Sequence, residues 1–211
     1  MVEGDYMLLR EELISNKTDD LNKIIENSYL SFYDNMINRE KRPMLLGRTI
    51  YIDERKLYDG KENGFWHCSS MGDDDTKFDQ YPCENDKCKK YCTYKCEISD
   101  KNNFLRDENR VPCIYRADKS VWINKLICMV NEKNLNNIKI WKVKNNKKKT
   151  TDLKIWYDDD DVSYILIFQI KYNKHKSDVE KYIFKTAYPV VLKPYIRRFA
   201  KEYNESKVII K

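Results

Sequence analysis

The sequence predicts an α+β fold, and three patterns lead to that prediction. Apolar residues recur at helical spacing from Asp19 to Met36 and again from Trp122 to Val130. Between residues 138 and 190 the pattern changes to strand-like runs separated by short polar turns. Short connections favour antiparallel pairing of neighbouring strands. The expected result is a set of helices packed on one face of an antiparallel sheet.

The elements before the sheet follow from helix and turn signals. Residues 1–41 are expected to form an N-terminal helical segment, and residues 42–211 one α+β domain. A short strand is expected from Thr49 to Ile52, between turn glycines. Asp118 precedes the second apolar helical pattern and is a plausible N-cap for that helix.

Three or four strand signals follow the second helix, and a basic helix follows the strands. The strands are expected at Ile138 to Lys144, Leu153 to Tyr157, Val162 to Tyr172 and Tyr182 to Val190. Pro194 then precedes a last basic segment, Tyr195 to Tyr203, which is expected to be helical.

A polar, cysteine-rich stretch at about 72–103 is expected to be an insertion, because it lacks any sustained hydrophobic period. Its cysteines Cys83, Cys88, Cys92 and Cys96 form C-x4-C-x3-C-x3-C. Four thiolates so close together suit a structural zinc ion, with His67 and Cys68 as further candidate ligands. The alternative is that the thiols are free, since no C-x2-C pair is present.

Charge is the main compositional clue to a partner. The 211 residues carry a net charge of +6, and seven lysines between residues 139 and 154 accompany one acid, Asp152. A nucleic acid gains affinity for such segments through counterion release, so RNA is an expected partner. The alternative is a lysine-rich surface without a specific ligand.

The sequence shows neither a membrane span nor a secretory signal. The longest apolar run, Tyr164 to Phe168, is far shorter than the ~20 residues that a membrane helix needs. The N-terminal residues mix acids and bases without a continuous hydrophobic region. A cytoplasmic protein that does not bind a membrane is therefore expected.

Five residues could together cleave a phosphodiester without a metal ion. That reaction needs a group that transfers protons and donors that stabilise charge on the phosphate oxygens. The unperturbed pKa of histidine suits proton transfer near neutrality, so His67 is the candidate for that group. Arg110 and Arg116 can hold a phosphate through two hydrogen bonds each. Thr186 and Tyr188 are two residues apart on an expected strand, so their hydroxyls would share a face.

Each of these residues also has a purely structural interpretation. His67 follows Phe65 and Trp66 and could be a half-buried residue without a catalytic role. The arginines, together with Arg106, could pair with nearby acids, namely Asp107, Glu108 and Asp118. Thr186 and Tyr188 could be ordinary strand formers. The second histidine, His175, is expected on the surface in an Asn-Lys-His-Lys turn.

The order of these motifs resembles a known superfamily. Phe65-Trp66-His67, then Arg110 and Arg116 before Trp122-Ile123, then a late strand ending in Thr186-Ala187-Tyr188, resemble phage-associated members of the barnase, EndoU, colicin and RelE-like ribonucleases. The resemblance spans about residues 51–194. It implies helices packed on a four-stranded antiparallel sheet, and RNA cleavage that requires no cofactor. It also implies a toxin restrained by a cognate antitoxin or immunity protein.

The sequence thus predicts an endoribonuclease that cleaves RNA by transesterification at the 2'-hydroxyl. Two alternatives from other classes stay open. One is a non-enzymatic, zinc-containing module that binds nucleic acid. The other is a phage interaction protein that neutralises a host factor through an aromatic contact surface.

Overall fold

The structure is a computed structural model that describes residues 21–72, 110–145, 148–159, 162–175 and 177–206. These residues form a mixed fold of α-helices and β-strands, which confirms the predicted α+β class. The N-terminal residues 1–20 and the segment 73–109, which contains nearly all of the expected insertion, lie outside the described residues.

The described strands form one large sheet and two small ones. The strands are β1 (Thr49–Tyr51), β2 (Leu57–Tyr58), β3 (Lys61–Glu62), β4 (Ser70–Gly72), β5 (Arg110–Pro112), β6 (Ile138–Asn145), β7 (Thr150–Asp158), β8 (Ser163–Tyr172) and β9 (Val179–Pro189). The large sheet has the order β1-β9-β8-β7-β6, while β2 pairs with β3 and β4 pairs with β5.

Helices precede, interrupt and follow the strands. They are α1 (Leu21–Phe32), which continues into a π-helical turn (Tyr33–Ile37), α2 (Asn63–Ser69), α3 (Ile114–Ala117), α4 (Trp122–Asn131) and α5 (Lys193–Glu205). Within the described ranges no helix combines the length and apolar character needed to cross a lipid bilayer.

The predicted run of antiparallel strands is confirmed, but the large sheet is not purely antiparallel. Strands β6 to β9 form an antiparallel meander with the expected order. Strand β1 adds to the edge of β9 in parallel orientation, with Thr49 opposite Lys181 and Tyr51 opposite Ile183. The sheet is therefore five-stranded and mixed. A three-residue strand carries no signal of its orientation, so the parallel pairing was not predictable locally.

Helices cover both faces of this sheet rather than the one face expected. The inner core combines α1, α2 and α4 with one sheet face, and its buried residues include Phe32, Phe65, Trp122, Leu166 and Phe168. The outer core lies under α5 and contains Trp141, Trp156, Ile165, Val190 and Phe199. Sequence periodicity identifies amphipathic elements but does not say which sheet face a terminal helix covers.

A β-bulge interrupts the pairing of β8 with β9. Phe168 lies opposite Phe184 and Ile167 opposite Thr186, so Lys185 has no residue opposite it. The extra residue changes which side chains point to the inner core. Phe184 and Ala187 both belong to that core although three positions separate them.

Two local predictions need correction, and one short helix was not predicted. Asp118 is not the N-cap of α4: it is the fully buried C-cap of α3, and Val121 precedes α4. Helix α2 has only seven residues, too few to establish a helical period in the sequence. Helix α5 begins at Lys193, so Pro194 lies in its first turn, where the missing N–H costs nothing.

The N-terminal segment and the insertion are only partly described. Phe32 and Met36 lie in the inner core beside the sheet residues, and the division at residue 41 stays a prediction. The chain leaves strand β4 at Gly72 and returns at Arg110, which pairs with Gly72 in the β4–β5 ladder. Residues 73–109 therefore connect two adjacent strand ends.

Phe199 attaches α5 to the sheet, and its removal should be costly. Its ring is fully buried and lies 6.2 Å from the Trp156 ring and 6.3 Å from the Trp141 ring. We expect Phe199→Ala to lower the free energy of unfolding by about 3–5 kcal/mol, through lost burial and a residual cavity. Urea unfolding followed by tryptophan fluorescence measures this change. The exposed Lys201→Ala on the same helix should stay within ~0.5 kcal/mol of the unmodified protein.

Candidate functional site

One cavity of about 380 Å³ is lined by all five residues predicted to carry the chemistry. These are His67, Arg110, Arg116, Thr186 and Tyr188. Helix α2, the β4–β5 pair, helix α3 and the late half of β9 supply them. The wall is completed by Val190, Val191, Leu192 and Tyr195. Residues far apart in sequence are thus brought to one concave surface, which is the usual form of a ligand site.

The late half of β9 is available to the cavity because β1 is short. Strand β1 pairs with Lys181 to Ile183, and within the described residues no strand pairs with the following part of β9 on that side. Helix α2 lies there instead. The Thr186 hydroxyl donates a hydrogen bond to the backbone carbonyl of His67, with an Oγ1 to O distance of 2.9 Å. This bond attaches the end of α2 to β9.

The hydrogen bond gives Thr186 a positioning role. A threonine hydroxyl can donate one hydrogen bond, and here the backbone carbonyl oxygen of His67 accepts it. In this geometry the hydroxyl fixes the backbone of His67 and has no second proton to offer a ligand. The predicted donor role of Thr186 stays a prediction that would require this bond to break.

Arg110 is held by both polar groups of Ser70. Its Nε donates to the Ser70 hydroxyl at 2.7 Å, and its Nη2 donates to the Ser70 carbonyl at 2.9 Å. Ser70 is fully buried, and its hydroxyl also donates to the Trp66 carbonyl at 2.5 Å. The guanidinium is therefore oriented by α2 and β4 as well as by its own strand, β5.

Arg116 is held by the same carbonyl and by an aromatic ring. Its Nη1 donates to the Ser70 carbonyl, and its guanidinium carbon lies 5.0 Å from the centre of the Tyr188 ring. A guanidinium over an aromatic face is stabilised by the ring quadrupole. Two arginines that lie six residues apart in sequence therefore converge on one oxygen atom.

Tyr188 stays protonated at neutral pH. Burial raises the pKa of its phenol, and the nearby cations Arg116 and Arg198 only partly oppose that effect. A neutral phenol is a hydrogen-bond donor, whereas a phenolate is only an acceptor. Tyr188 can therefore offer a proton to a negatively charged oxygen in the cavity.

Lys185 also lines the cavity, and sequence reasoning did not identify it. It is the bulge residue of β9, and its ammonium group contacts the Asp152 carboxylate at 3.0 Å. Bulges often redirect a side chain beside a functional site. The only sequence signal was a lysine that precedes Thr186, which many strands would share.

The cavity is electropositive. Arg110, Arg116 and Lys185 line it, and none of the lining residues that the structure describes is an aspartate or a glutamate. Val190, Val191 and Leu192 form an apolar part of the wall. Cations beside a low-dielectric wall suit an anionic group such as a phosphate, which arginines bind through paired hydrogen bonds.

The two histidines differ in position. His67 is half-buried and lies in the last turn of α2, on the cavity wall. His175 is exposed in the turn between β8 and β9, as the sequence predicted. Of the two, only His67 is placed to transfer a proton to or from a ligand in the cavity.

Behind the cavity lie two buried groups with suppressed ionisation. Burial raises the pKa of the Cys68 thiol to about 12, and the charges of Arg116 and Arg110 lower it only in part. Burial also raises the pKa of Tyr164, whose hydroxyl has no hydrogen-bond partner among the described residues. A thiol of that pKa is a poor nucleophile at neutral pH.

The predicted zinc site cannot be located. Cys83, Cys88, Cys92 and Cys96 lie outside the described residues. Within the described ranges no three His, Cys, Asp or Glu side chains come together as a metal site would require. Cys68, Cys113 and Cys128, which are described, form no disulfide. Structural zinc stays a prediction.

Comparison of the chain with protein-family models, curated proteins and solved structures gives no match. The resemblance of its motifs to the barnase and RelE-like ribonucleases therefore stays a prediction, and the geometry of the cavity is the basis for the functional inference that follows.

Inorganic phosphate should bind this cavity and stabilise the fold. A ligand at ten times its Kd adds about 1.4 kcal/mol of stability, which raises Tm by roughly 3–6 °C in a chain of this size. We expect this rise for phosphate relative to sodium chloride of equal ionic strength, and a smaller rise for Arg116→Gln. Arg39→Gln, which removes an exposed arginine outside the cavity, is the matched control. An equal rise in Tm for the unmodified protein, Arg116→Gln and Arg39→Gln would contradict a specific anion site.

Proposed function

We propose that the protein is a metal-independent endoribonuclease that cleaves RNA by attack of the ribose 2'-hydroxyl on the adjacent phosphate. One observation supports this proposal above the others. The cavity combines a histidine, two arginines and a protonated tyrosine with a lysine, and no described lining residue is acidic. These groups match the needs of phosphodiester cleavage without a metal ion.

In this mechanism His67 transfers protons. As a neutral imidazole it accepts the proton of the 2'-hydroxyl, and as an imidazolium it returns a proton to the leaving 5'-oxygen in a later step. Its backbone is fixed by the hydrogen bond from Thr186, which limits the movement of α2 relative to β9. Positioning of this kind supports catalysis because the reacting atoms must lie close together and aligned.

Arg110 and Arg116 compensate the charge that develops on the phosphate oxygens. Both guanidinium groups are oriented before the substrate binds, because Ser70 accepts hydrogen bonds from each. Donors oriented in advance need little reorganisation during the reaction. Tyr188 and Lys185 provide further donors on the β9 side of the cavity.

The fold is compatible with the superfamily resemblance in part. Strands β6 to β9 are a four-stranded antiparallel meander with helices on the inner face. We propose that this unit corresponds to the sheet implied by the resemblance, and that β1 and α5 are additions to it. A cognate antitoxin or immunity protein is part of the same proposal.

A second candidate is a module that binds phosphate groups of nucleic acid without cleaving them. The hydrogen bond from Thr186 to the His67 carbonyl favours it, because that hydroxyl proton already has a protein acceptor and is not available to a transition state. The two candidates differ in one observable, namely whether a bound RNA is cut.

Cleavage should persist without metal ions and depend on His67 and Arg116. We expect purified protein in EDTA to cut bulk tRNA or mRNA into fragments with 2',3'-cyclic phosphate ends. His67→Ala should lower the rate by about 10²–10⁴-fold, the usual contribution of a general acid or base. Arg116→Ala should lower it by about 10²–10³-fold, as for other lost charge-stabilising donors. Gel analysis of the fragments measures both effects.

Matched variants separate these effects from contamination and misfolding. His175→Ala and Arg39→Ala remove the same residue types from outside the cavity and should keep full activity. Intact RNA with every protein, together with RNA binding that Arg116→Ala weakens, would favour the non-cleaving module. Intact RNA without binding would contradict both candidates.

Lys185 should contribute to transition-state stabilisation. We expect Lys185→Met to lower kcat/KM for RNA cleavage by roughly 10–100-fold, the equivalent of one charged hydrogen bond. Lys181→Met is the control: the side chain lies on the same strand, is 35% exposed compared with 36% for Lys185, and does not line the cavity. Equal rates for the two variants would exclude a role for Lys185.

A further inference from the structure

A second concave surface lies where strands β6 to β9 approach their hairpin turns. It has a volume of about 900 Å³ and is lined by residues from 144–151 and 169–174, with Glu180 as the one acid among its described lining residues. Four of its lining residues are lysines, namely Lys144, Lys149, Lys171 and Lys174. We name this surface the lysine groove.

The lysines of the groove have little compensation from neighbouring acids. All four are exposed, and none is within ion-pair distance of a carboxylate in the part of the chain that the structure describes. Glu180 contacts Lys181 instead, at 3.5 Å. Cations gathered in a concave surface focus a positive potential, which attracts a polyanion.

The lysine groove and the cavity that contains His67 lie along the same pair of strands, β8 and β9. Lys171 of β8 is four residues from Ile167, which lies opposite Thr186 of the cavity. At about 3.3 Å per residue, the two surfaces are roughly 13 Å apart along the sheet. The distance is short enough for one nucleic-acid strand of a few nucleotides to reach both.

The sheet surface between them carries both polar and apolar side chains. Gln169 of β8 lies opposite Asp152 of β7 on one side and opposite Ile183 of β9 on the other. Gln169 lines the groove, and the Asp152 carboxylate contacts Lys185, which lines the cavity. Because the Lys185 ammonium group compensates the charge of Asp152, this acid repels a phosphate backbone less than an unpaired carboxylate would.

We infer that the lysine groove binds the backbone of a single-stranded RNA whose reacting phosphate lies in the cavity. This inference rests on the proposed function for its orientation, although binding itself does not require cleavage. The groove contributes sequence-independent affinity through its lysines, so the substrate is an extended strand rather than a dinucleotide.

Binding of 2'-O-methyl RNA tests the groove independently of catalysis, because that RNA lacks the attacking hydroxyl. The triple variant Lys144→Gln, Lys171→Gln, Lys174→Gln is compared with Lys41→Gln, Lys56→Gln, Lys133→Gln, which removes three exposed lysines from outside both surfaces. The two variants have the same net charge. Fluorescence anisotropy with labelled oligonucleotides of two and sixteen nucleotides measures affinity over a range of salt concentrations.

We expect the groove variant to bind the longer oligonucleotide at least ten-fold more weakly at low salt than the control variant. Its salt dependence should also decrease by about two in the slope of log K against log salt, because three phosphate contacts on a single strand are lost. The dinucleotide probe, which is too short to span both surfaces, should bind both variants equally. Equal affinity of the two variants for the longer probe would overturn the inference.

Cleavage assays on the same variants separate this inference from the proposed function. If the protein cleaves RNA, the groove variant should raise KM for the longer substrate and leave kcat unchanged. If no protein cleaves RNA but the groove variant still loses affinity, the groove inference stands and the nuclease proposal fails. If cleavage occurs with an unchanged KM, the groove inference fails and the nuclease proposal stands.

Discussion

The backbone carbonyl of Ser70 determines the geometry of the cavity. Arg110 and Arg116 both donate hydrogen bonds to it, so two guanidinium groups lie within roughly 6 Å of each other. Like charges at that separation repel by on the order of 1–3 kcal/mol at the dielectric of a partly buried site. Other contacts offset this repulsion. The Arg110 guanidinium is hydrogen-bonded to the Ser70 hydroxyl, and the Arg116 guanidinium lies over the Tyr188 ring. An anion between them would compensate both charges, and a phosphate could accept hydrogen bonds from both guanidinium groups.

Strand β9 serves two purposes because its neighbour β1 is so short. Its first residues complete the five-stranded sheet through parallel pairing with β1. On the edge where β1 lies, no strand in the described ranges pairs with its later residues, and α2 and the β4–β5 pair approach there instead. The bulge at Lys185 lies where the strand changes from one role to the other. The bulge keeps Ala187 in the inner core while Lys185, Thr186 and Tyr188 all line the cavity. A regular strand would have placed one of these three side chains on the opposite face.

Much of this arrangement followed from the sequence, and the remainder depended on tertiary contacts. The strands of the meander and helix α4 have clear periods, so their existence was predictable from Ile138 to Val190 and from Trp122 to Val130. The residues of the candidate site were grouped by chemistry and motif order, and the structure places all five on one cavity: His67, Arg110, Arg116, Thr186 and Tyr188.

Lys185 was missed because a bulge depends on pairing across β8 and leaves no local signal. The Thr186 hydrogen bond to His67 was equally invisible, since 119 residues separate the two. For Asp118 a local signal was present but misleading. Aspartate is a good N-cap residue, yet a short helix, α3, precedes Asp118, and the residue is the C-cap of that helix.

The position of the insertion links it to the cavity. Gly72 and Arg110 flank residues 73–109. They pair with each other in the β4–β5 ladder, and both line the cavity. Anything that restrains residues 73–109 therefore acts on the strand that carries Arg110. If the four cysteines hold zinc, as their spacing led us to predict, the metal would stiffen the connection between two cavity residues without entering the reaction. Such a restraint would reach the site through β5, where Arg110 is hydrogen-bonded to Ser70.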